Sequence, residues 1–182
     1  MKMAAKLIAA LLVIQTGIVS AGAIDNSKST VTATFKQLGV PVDAKFKTFS
    51  GQIDFDPANP ATGKAQLTLT TASFDLGDPE YNKEVQKKEW LNSTQFPQAT
   101  FVSSSIKSAG GDKLQVQGKL TLKGKTLDVN VPVTFKQDGK VQTFEGTLPI
   151  KRLYFNIGEG DWKDTDTLAD EVIIKFKAVT SN

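Results

Sequence analysis

The chain of 182 residues contains no cysteine and no histidine. Without these residue types it has no thiol nucleophile, no Ser-His-Asp triad, no conventional zinc site and no axial histidine for haem. It also has no disulfide, so apolar burial and backbone pairing must hold the fold together. These absences favour a binding or structural protein over an enzyme, and we predict that it uses no metal and no cofactor.

The charge balance is close to neutral, with a formal net charge of +3. Two of the positive charges belong to Lys2 and Lys6, so residues 24–182 carry about +1. Proteins that bind nucleic acid concentrate many more basic residues on one surface. The sequence therefore predicts no nucleic-acid partner.

The first 23 residues have the pattern of an export signal. Lys2 and Lys6 lie beside an apolar segment at 7–14, and Ala21-Gly22-Ala23 supplies the small residues that signal peptidase reads. An apolar core of this length suits a signal and is short for a membrane span, which needs about 20 residues. We predict a periplasmic protein that is cleaved after Ala23, has one mature domain at 24–182 and has no stable membrane span.

Alternating apolar residues over 113–137 predict a long β-hairpin. The apolar positions recur at every second residue on both sides of Lys123-Gly124-Lys125, which is typical of strands and not of an amphipathic helix. Similar runs between turn sequences predict further strands at 30–38, 44–55, 64–74, 99–106, 141–150, 153–157 and 171–179. The apolar parity changes between Phe46 and Phe49, which predicts a β-bulge or a sharp bend there.

One segment has the signature of a helix. Asp78 can cap its start, Pro79 suits the first helical position, and Glu80 adds negative charge to the first turn. Apolar residues continue the pattern to Trp90 and Leu91, which predicts a helix over 79–92.

These elements predict an all-β fold of about eight antiparallel strands with one helix. A two-sheet sandwich would satisfy the same alternation, and we favour a barrel. A barrel of about eight strands has an interior that is either packed by side chains or holds one small ligand, as in lipocalins.

Several short segments, in order along the chain, resemble the YceI-like family of exported polyisoprenoid-binding proteins. They are FSGQIDFD at 49–56, EWLN at 89–92, FPQATF at 96–101, GKLTLKG at 118–124 and the closing segments at 156–162 and 168–172. The resemblance implies a lipocalin-like antiparallel barrel that holds an isoprenoid chain and carries no catalytic residues. Where the family often has Arg-Asp-x-His-Leu, this chain has Tyr81-Asn82-Lys83-Glu84-Val85, so it lacks the charged and imidazole groups found there in relatives.

An isoprenoid has no hydrogen bonds to satisfy, so a wall of aromatic and aliphatic side chains can hold it. We predict a lining that consists of Phe35, Phe46, Phe49, Phe55, Leu67, Leu69, Phe74, Val85, Trp90, Leu91, Phe101, Leu120, Val131, Phe155 and Trp162. Taken singly, each of these residues could equally be ordinary core. Arg152 or Lys151 could meet a phosphate head group, or both could be solvated strand ends.

Three classes of function follow from the sequence. The first is a periplasmic carrier for a polyprenyl lipid or an isoprenoid quinone, which could act as a monomer or as a homodimer. The second is a structural or interaction barrel whose core is filled and binds no ligand. The third is a hydrolase or isomerase that uses Asp54, Asp56, Tyr81 or the acidic residues of 159–166, although Asp56 is better explained as a turn cap.

The export hypothesis makes a direct prediction about the mature chain. Because cleavage after Ala23 removes the signal, intact-mass spectrometry of the protein purified from the periplasm should give a chain that begins at Ile24. A mature protein that retains Met1 would contradict it.

Overall fold

The computed structural model describes residues 22–181. The predicted export signal lies outside the described residues, except for Gly22 and Ala23. Those two residues form a short strand, β1, that pairs with the strand containing Gln52 and Ile53.

The described chain is an antiparallel β-sheet with one α-helix. In chain order the elements are β1 (Gly22–Ala23), β2 (Thr30–Gln37), β3 (Val40–Phe46), β4 (Phe49–Asp54), β5 (Lys64–Thr70), β6 (Phe74–Asp75), α1 (Pro79–Glu84), β7 (Gln98–Gly110), β8 (Lys113–Leu122), β9 (Lys125–Asp138), β10 (Val141–Lys151) and β11 (Leu168–Ser181). The hydrogen-bonded order is β1-β4-β5-β7-β8-β9-β10-β11-β2-β3-β6. The predicted all-β antiparallel class is confirmed, with eleven strands in place of about eight because two-residue strands and a split at 47–48 add to the number.

The sheet curls round on itself, because two strands that are consecutive in the chain, β3 and β4, lie near its opposite ends. β3 pairs with β2 and β6, whereas β4 pairs with β1 and β5, and only Lys47 and Thr48 separate β3 from β4. The predicted bend is thus a two-residue break, after which the chain changes from one end of the sheet to the other. Ile24 and Asp25 also join β4 to β11 across the curl, since their N–H groups donate to Gly51 O (3.0 Å) and Val179 O (2.8 Å).

The predicted hairpin at 113–137 is formed by β8 and β9. Their register runs from Lys113 opposite Thr134 to Leu122 opposite Lys125. Lys123 and Gly124 form the turn with φ angles of 47° and 73°, and a two-residue turn with two positive φ values matches the right-handed twist of the strands. Strand alternation then directs the apolar side chains of both strands to the concave side of the sheet.

Two predicted elements differ from the structure. The helix predicted over 79–92 ends at Glu84, because Leu91 N donates to Val85 O and Asn92 adopts a left-handed φ of 48°. Leu91 is buried where the chain folds back. The strand predicted at 153–157 is wrong, since Arg152–Phe155 is a 3-10 helix followed by Asn156 with a φ of 57°.

Asp75 ties α1 to the sheet. Lys47 Nζ lies 2.8 Å from one oxygen of the Asp75 carboxylate, and Asn82 on α1 donates to the other at 2.7 Å. The hydrogen bond from Lys47, followed by those from Asn82 and Gly77, lowers the pKa of Asp75 to about 2. The helix start itself is capped as predicted, because the Asp78 carboxylate accepts from the N–H groups of Glu80 and Tyr81.

The Asp75 contacts predict a specific acid sensitivity. Because the folded pKa is below the unfolded value of about 3.9, the ionised carboxylate stabilises the fold above about pH 4, and this contribution is lost as the pH falls through about 2. The difference in the free energy of unfolding between wild type and Asp75→Asn, measured in urea, should shrink from pH 5 to pH 2. Asn82→Ala should weaken this pH dependence, and a difference that stays constant with pH would contradict the assignment.

Gly118 allows two strands to approach closely. A Cβ at this position would lie 2.6 Å from the ring of Phe101 and 2.6 Å from the backbone oxygen of Val102. Gly118→Ala should therefore destabilise the fold by about 1–3 kcal/mol, because this clash outweighs the gain of about 0.5–1 kcal/mol usual when alanine replaces glycine in a strand. Urea unfolding measures the change, with Gln117→Ala on the exposed face of β8 as a control. Equal stability of the two variants would refute the proposed clash.

Candidate functional site

The interior of the curled sheet contains two adjoining cavities. The smaller has a volume of about 130 Å³ and the larger about 430 Å³. Ile174 on β11 lines both cavities, so they lie on either side of one side chain. Three clusters of buried apolar residues surround them. The side chains of the barrel therefore leave part of its apolar interior empty.

The smaller cavity lies among the long strands. β5, β7, β8, β9 and β11 all contribute to its wall, and the surface facing the cavity is wholly apolar. The lining residues that sequence analysis did not single out include Ile24, Val31, Ile53, Ile106, Val133 and Phe176. Their apolar alternation was visible in the sequence, except at Ile24, which precedes β2 and belongs to no alternating run.

The larger cavity opens toward α1 and the loop after β10. Tyr81 on α1 and Trp162 on that loop line it, and they are 66% and 37% exposed. These two residues mark the mouth, because each contacts both the cavity and the solvent. Deeper in the cavity the wall is made largely by apolar residues of β2, β3, β10 and β11.

Most of the predicted lining residues lie on one of the two cavities. Six line the smaller cavity: Phe49, Leu67, Leu69, Phe101, Leu120 and Val131. Seven line the larger cavity: Phe35, Phe46, Phe74, Val85, Trp90, Leu91 and Trp162. The curl of the sheet brings these two groups together from strands far apart in sequence.

The other two predicted residues are packed in the core. Phe55 is 2% exposed and its ring centroid lies 4.8 Å from Phe135 and 5.5 Å from Phe144 in edge-to-face arrangements. Phe155 is 1% exposed and packs in the cluster that contains Leu91 and Ile150. Neither lines a cavity, because neighbouring aromatic and aliphatic side chains surround each ring.

Arg152 is neither a solvated strand end nor a free phosphate ligand. Its side chain is 2% exposed, and all five of its N–H groups donate to backbone carbonyls. The acceptors are Ala169 O at 3.1 Å, Ile157 O at 2.8 Å, Gly158 O at 3.3 Å, Trp162 O at 2.7 Å and Leu168 O at 2.8 Å. Burial lowers the pKa of this guanidinium, and the nearby Asp170 carboxylate opposes that shift. Arg152 thus holds the loop at 156–167 and the start of β11 in place from inside.

Lys123 holds the same loop from the β8–β9 turn. Its Nζ donates to Asn156 O at 2.6 Å and to Glu159 Oε2 at 3.0 Å, and this ammonium lowers the pKa of Glu159. Glu89 O accepts hydrogen bonds from the N–H groups of Gly158 and Glu159. The loop therefore joins the segment after α1, and Trp162 packs on Trp90 with ring centroids 5.0 Å apart.

Two of the acidic residues considered for catalysis, Asp56 and Asp164, act in turns. Asp56 accepts a hydrogen bond from Ala58 N at 2.9 Å, which confirms the turn-cap interpretation. Asp164 accepts from Asp166 N and from the hydroxyl of Thr167. Within residues 22–181, Asp and Glu side chains form no cluster of three or more that could hold a metal ion.

The helices in the described part of the chain are α1 and four 3-10 helices, none longer than six residues. None of them combines the length and the apolar character that a membrane crossing requires. The only α-helix among residues 22–181, α1, has six residues.

Related proteins share both the sequence pattern and the fold. A curated UPF0312 protein from Ectopseudomonas mendocina is 34% identical over 140 residues, which cover 74% of this chain and 72% of that protein. Protein YceI from Shigella flexneri is 39% identical over 122 residues, and the match spans 62% of this chain and 61% of the relative.

Solved structures extend the similarity to three dimensions. BcnA from Burkholderia cenocepacia is 56% identical, covers 87% of this chain and 99% of its own length, and superposes with a TM-score of 0.85. A polyisoprenoid-binding domain from Saccharophagus degradans has a TM-score of 0.69 at 16% identity, over 88% of this chain and 98% of that domain, which shows the shared fold alone. Residues 23–180 match the YceI-like domain. The chain therefore belongs to the YceI-like family.

Proposed function

We propose that this protein is a periplasmic carrier that holds an isoprenoid lipid, either a polyprenyl chain or a quinone with an isoprenoid tail, inside its barrel. The observation that carries the proposal is the pair of adjoining apolar cavities with Ile174 between them. Membership of the YceI-like family supports it, as does the fold shared with a domain named for polyisoprenoid binding.

The chemistry of the walls suits a hydrocarbon. An isoprenoid tail needs no hydrogen bonds, and removing each methylene from water contributes about 0.8 kcal/mol. The cavities exist in the folded protein before any ligand enters, which reduces the cost of ordering side chains on binding. An elongated tail can therefore occupy both volumes while its polar end remains near Tyr81 and Trp162 at the mouth.

We infer that the protein binds its ligand without transforming it. The groups on the cavity walls are mostly hydrocarbon, and the carboxylates of Asp56 and Asp164 are engaged by their own turns. The export pattern of residues 1–23 supports a periplasmic location. The empty interior argues against the alternative of a structural barrel with a filled core.

Loading of the protein with lipid tests this function. Protein purified from its native compartment should carry an apolar ligand that native mass spectrometry detects and organic extraction removes. Leu120→Asp should lower the loaded fraction at least about tenfold, because it places an unpaired carboxylate on the wall of the smaller cavity.

Thr121→Asp is the matched control, since it adds the same charge to the next residue of β8, which points to the other face of the sheet. Circular dichroism must show that both variants fold. Wild-type protein that is consistently empty, or equal loading of the two variants, would overturn the proposed function.

A further inference from the structure

Lipids with the same isoprenoid tail can carry charged or neutral head groups. The hydrogen-bonding groups on the cavity walls determine which of these head groups the protein can bind inside the barrel. The surface of the smaller cavity is wholly apolar. The larger cavity is lined by four residues with strongly polar side chains: Gln37, Tyr81, Glu84 and Arg152. A diphosphate that entered the barrel would need the donors of Gln37, Tyr81 or Arg152, because a buried unpaired charge is costly and the Glu84 carboxylate can only accept hydrogen bonds.

Arg152 is the residue that a phosphate would be expected to bind. Its five N–H groups already donate to three carbonyls of the loop at 156–167 and to two carbonyls at the start of β11. A phosphate could bind this guanidinium only by displacing carbonyls that would then be buried without hydrogen-bond partners, which is unfavourable. The Arg152 guanidinium therefore stabilises the fold and is not available to bind a phosphate.

The remaining polar groups lie at the mouth or inside the wall. Gln37 and Tyr81 are exposed, and the Glu84 carboxylate is paired with Lys87. Trp90 lines the larger cavity, and its Nε1 is a buried donor without a hydrogen-bond partner, but neighbouring atoms cover it. Among residues 22–181, the cavity walls thus offer a head group no uncommitted buried cation, and the unpaired donor Trp90 Nε1 is covered.

Charges of both signs surround the mouth. α1 carries Glu80 and Lys83 in addition to the Glu84–Lys87 pair, and the loop beside Trp162 carries Asp161 and Lys163. Interspersed charges produce little net field, and salt screens what remains between exposed groups. A head group in solvent at this point would be neither strongly attracted nor strongly repelled.

We propose that the site selects its ligand by the hydrocarbon tail and is indifferent to the charge of the head group, which remains in water at the mouth. This inference rests on the proposed function and adds the ligand class: isoprenoids with charged and with uncharged ends are accepted alike. The tail alone supplies the binding free energy.

Two ligands with one tail and different heads test the inference. Delipidated protein is titrated at physiological ionic strength with geranylgeraniol and with geranylgeranyl diphosphate, and their dissociation constants should agree within about fivefold. Farnesol, whose tail is one isoprene unit shorter, should bind at least about tenfold more weakly than geranylgeraniol. A preference above fivefold for either head group, or equal binding of the two alcohols, would overturn the inference. If none of the three ligands binds, the proposed function itself fails.

Variants of the wall separate tail contacts from head-group contacts. Ala33→Leu narrows the larger cavity and should weaken the alcohol and the diphosphate by the same factor, whereas Ala109→Leu on the exposed end of β7 should change neither. If circular dichroism shows that Ala33→Leu is unfolded, Val42→Phe on β3, which lines the same cavity, replaces it. A variant of the wall that changes the ratio of the two affinities would contradict selection by the tail.

Discussion

The whole structure depends on how a strongly curled antiparallel sheet covers its own apolar face. Strand alternation gives every long strand an apolar side, and that side can leave water only if the sheet bends round on itself. The bend is made at Lys47 and Thr48, where the chain passes from one end of the sheet to the other. A sheet of this width encloses more volume than its inward side chains occupy. The curling that buries its apolar face through the hydrophobic effect therefore also creates the cavities.

The mouth of the larger cavity is stabilised by polar contacts rather than by apolar packing alone. Arg152 donates to three carbonyls of the loop at 156–167 and to two at the start of β11, and Lys123 binds Asn156 and Glu159 from the neighbouring hairpin turn. Irregular backbone needs such partners, since its buried carbonyls have no strand to pair with. One consequence is that Trp162 is held against Trp90 at the cavity, and another is that the buried cation is unavailable to a ligand.

The prediction of Arg152 as a candidate phosphate ligand illustrates where sequence reasoning stops. The residue follows a strand and precedes a run that alternates like another strand, so a solvated end or a ligand contact both fitted the pattern. Its true environment comes from carbonyls up to 17 residues away in the chain, and no local pattern records them. The same limit applies to Phe55 and Phe155, because which aromatic rings fill the core and which face a cavity depends on their neighbours across the sheet.

The sequence by itself determined the antiparallel all-β class, the β8–β9 hairpin, the cap of α1 and the apolar character of the interior. These features follow from a period of two, from turn residues and from capping side chains, all of which act between residues close in the chain. Only the tertiary structure decided that the interior holds two cavities, that thirteen of the predicted residues line them and that Arg152 is committed to a loop. Those outcomes depend on packing between distant strands, since a cavity is the volume left by many side chains together and belongs to no single segment of the chain.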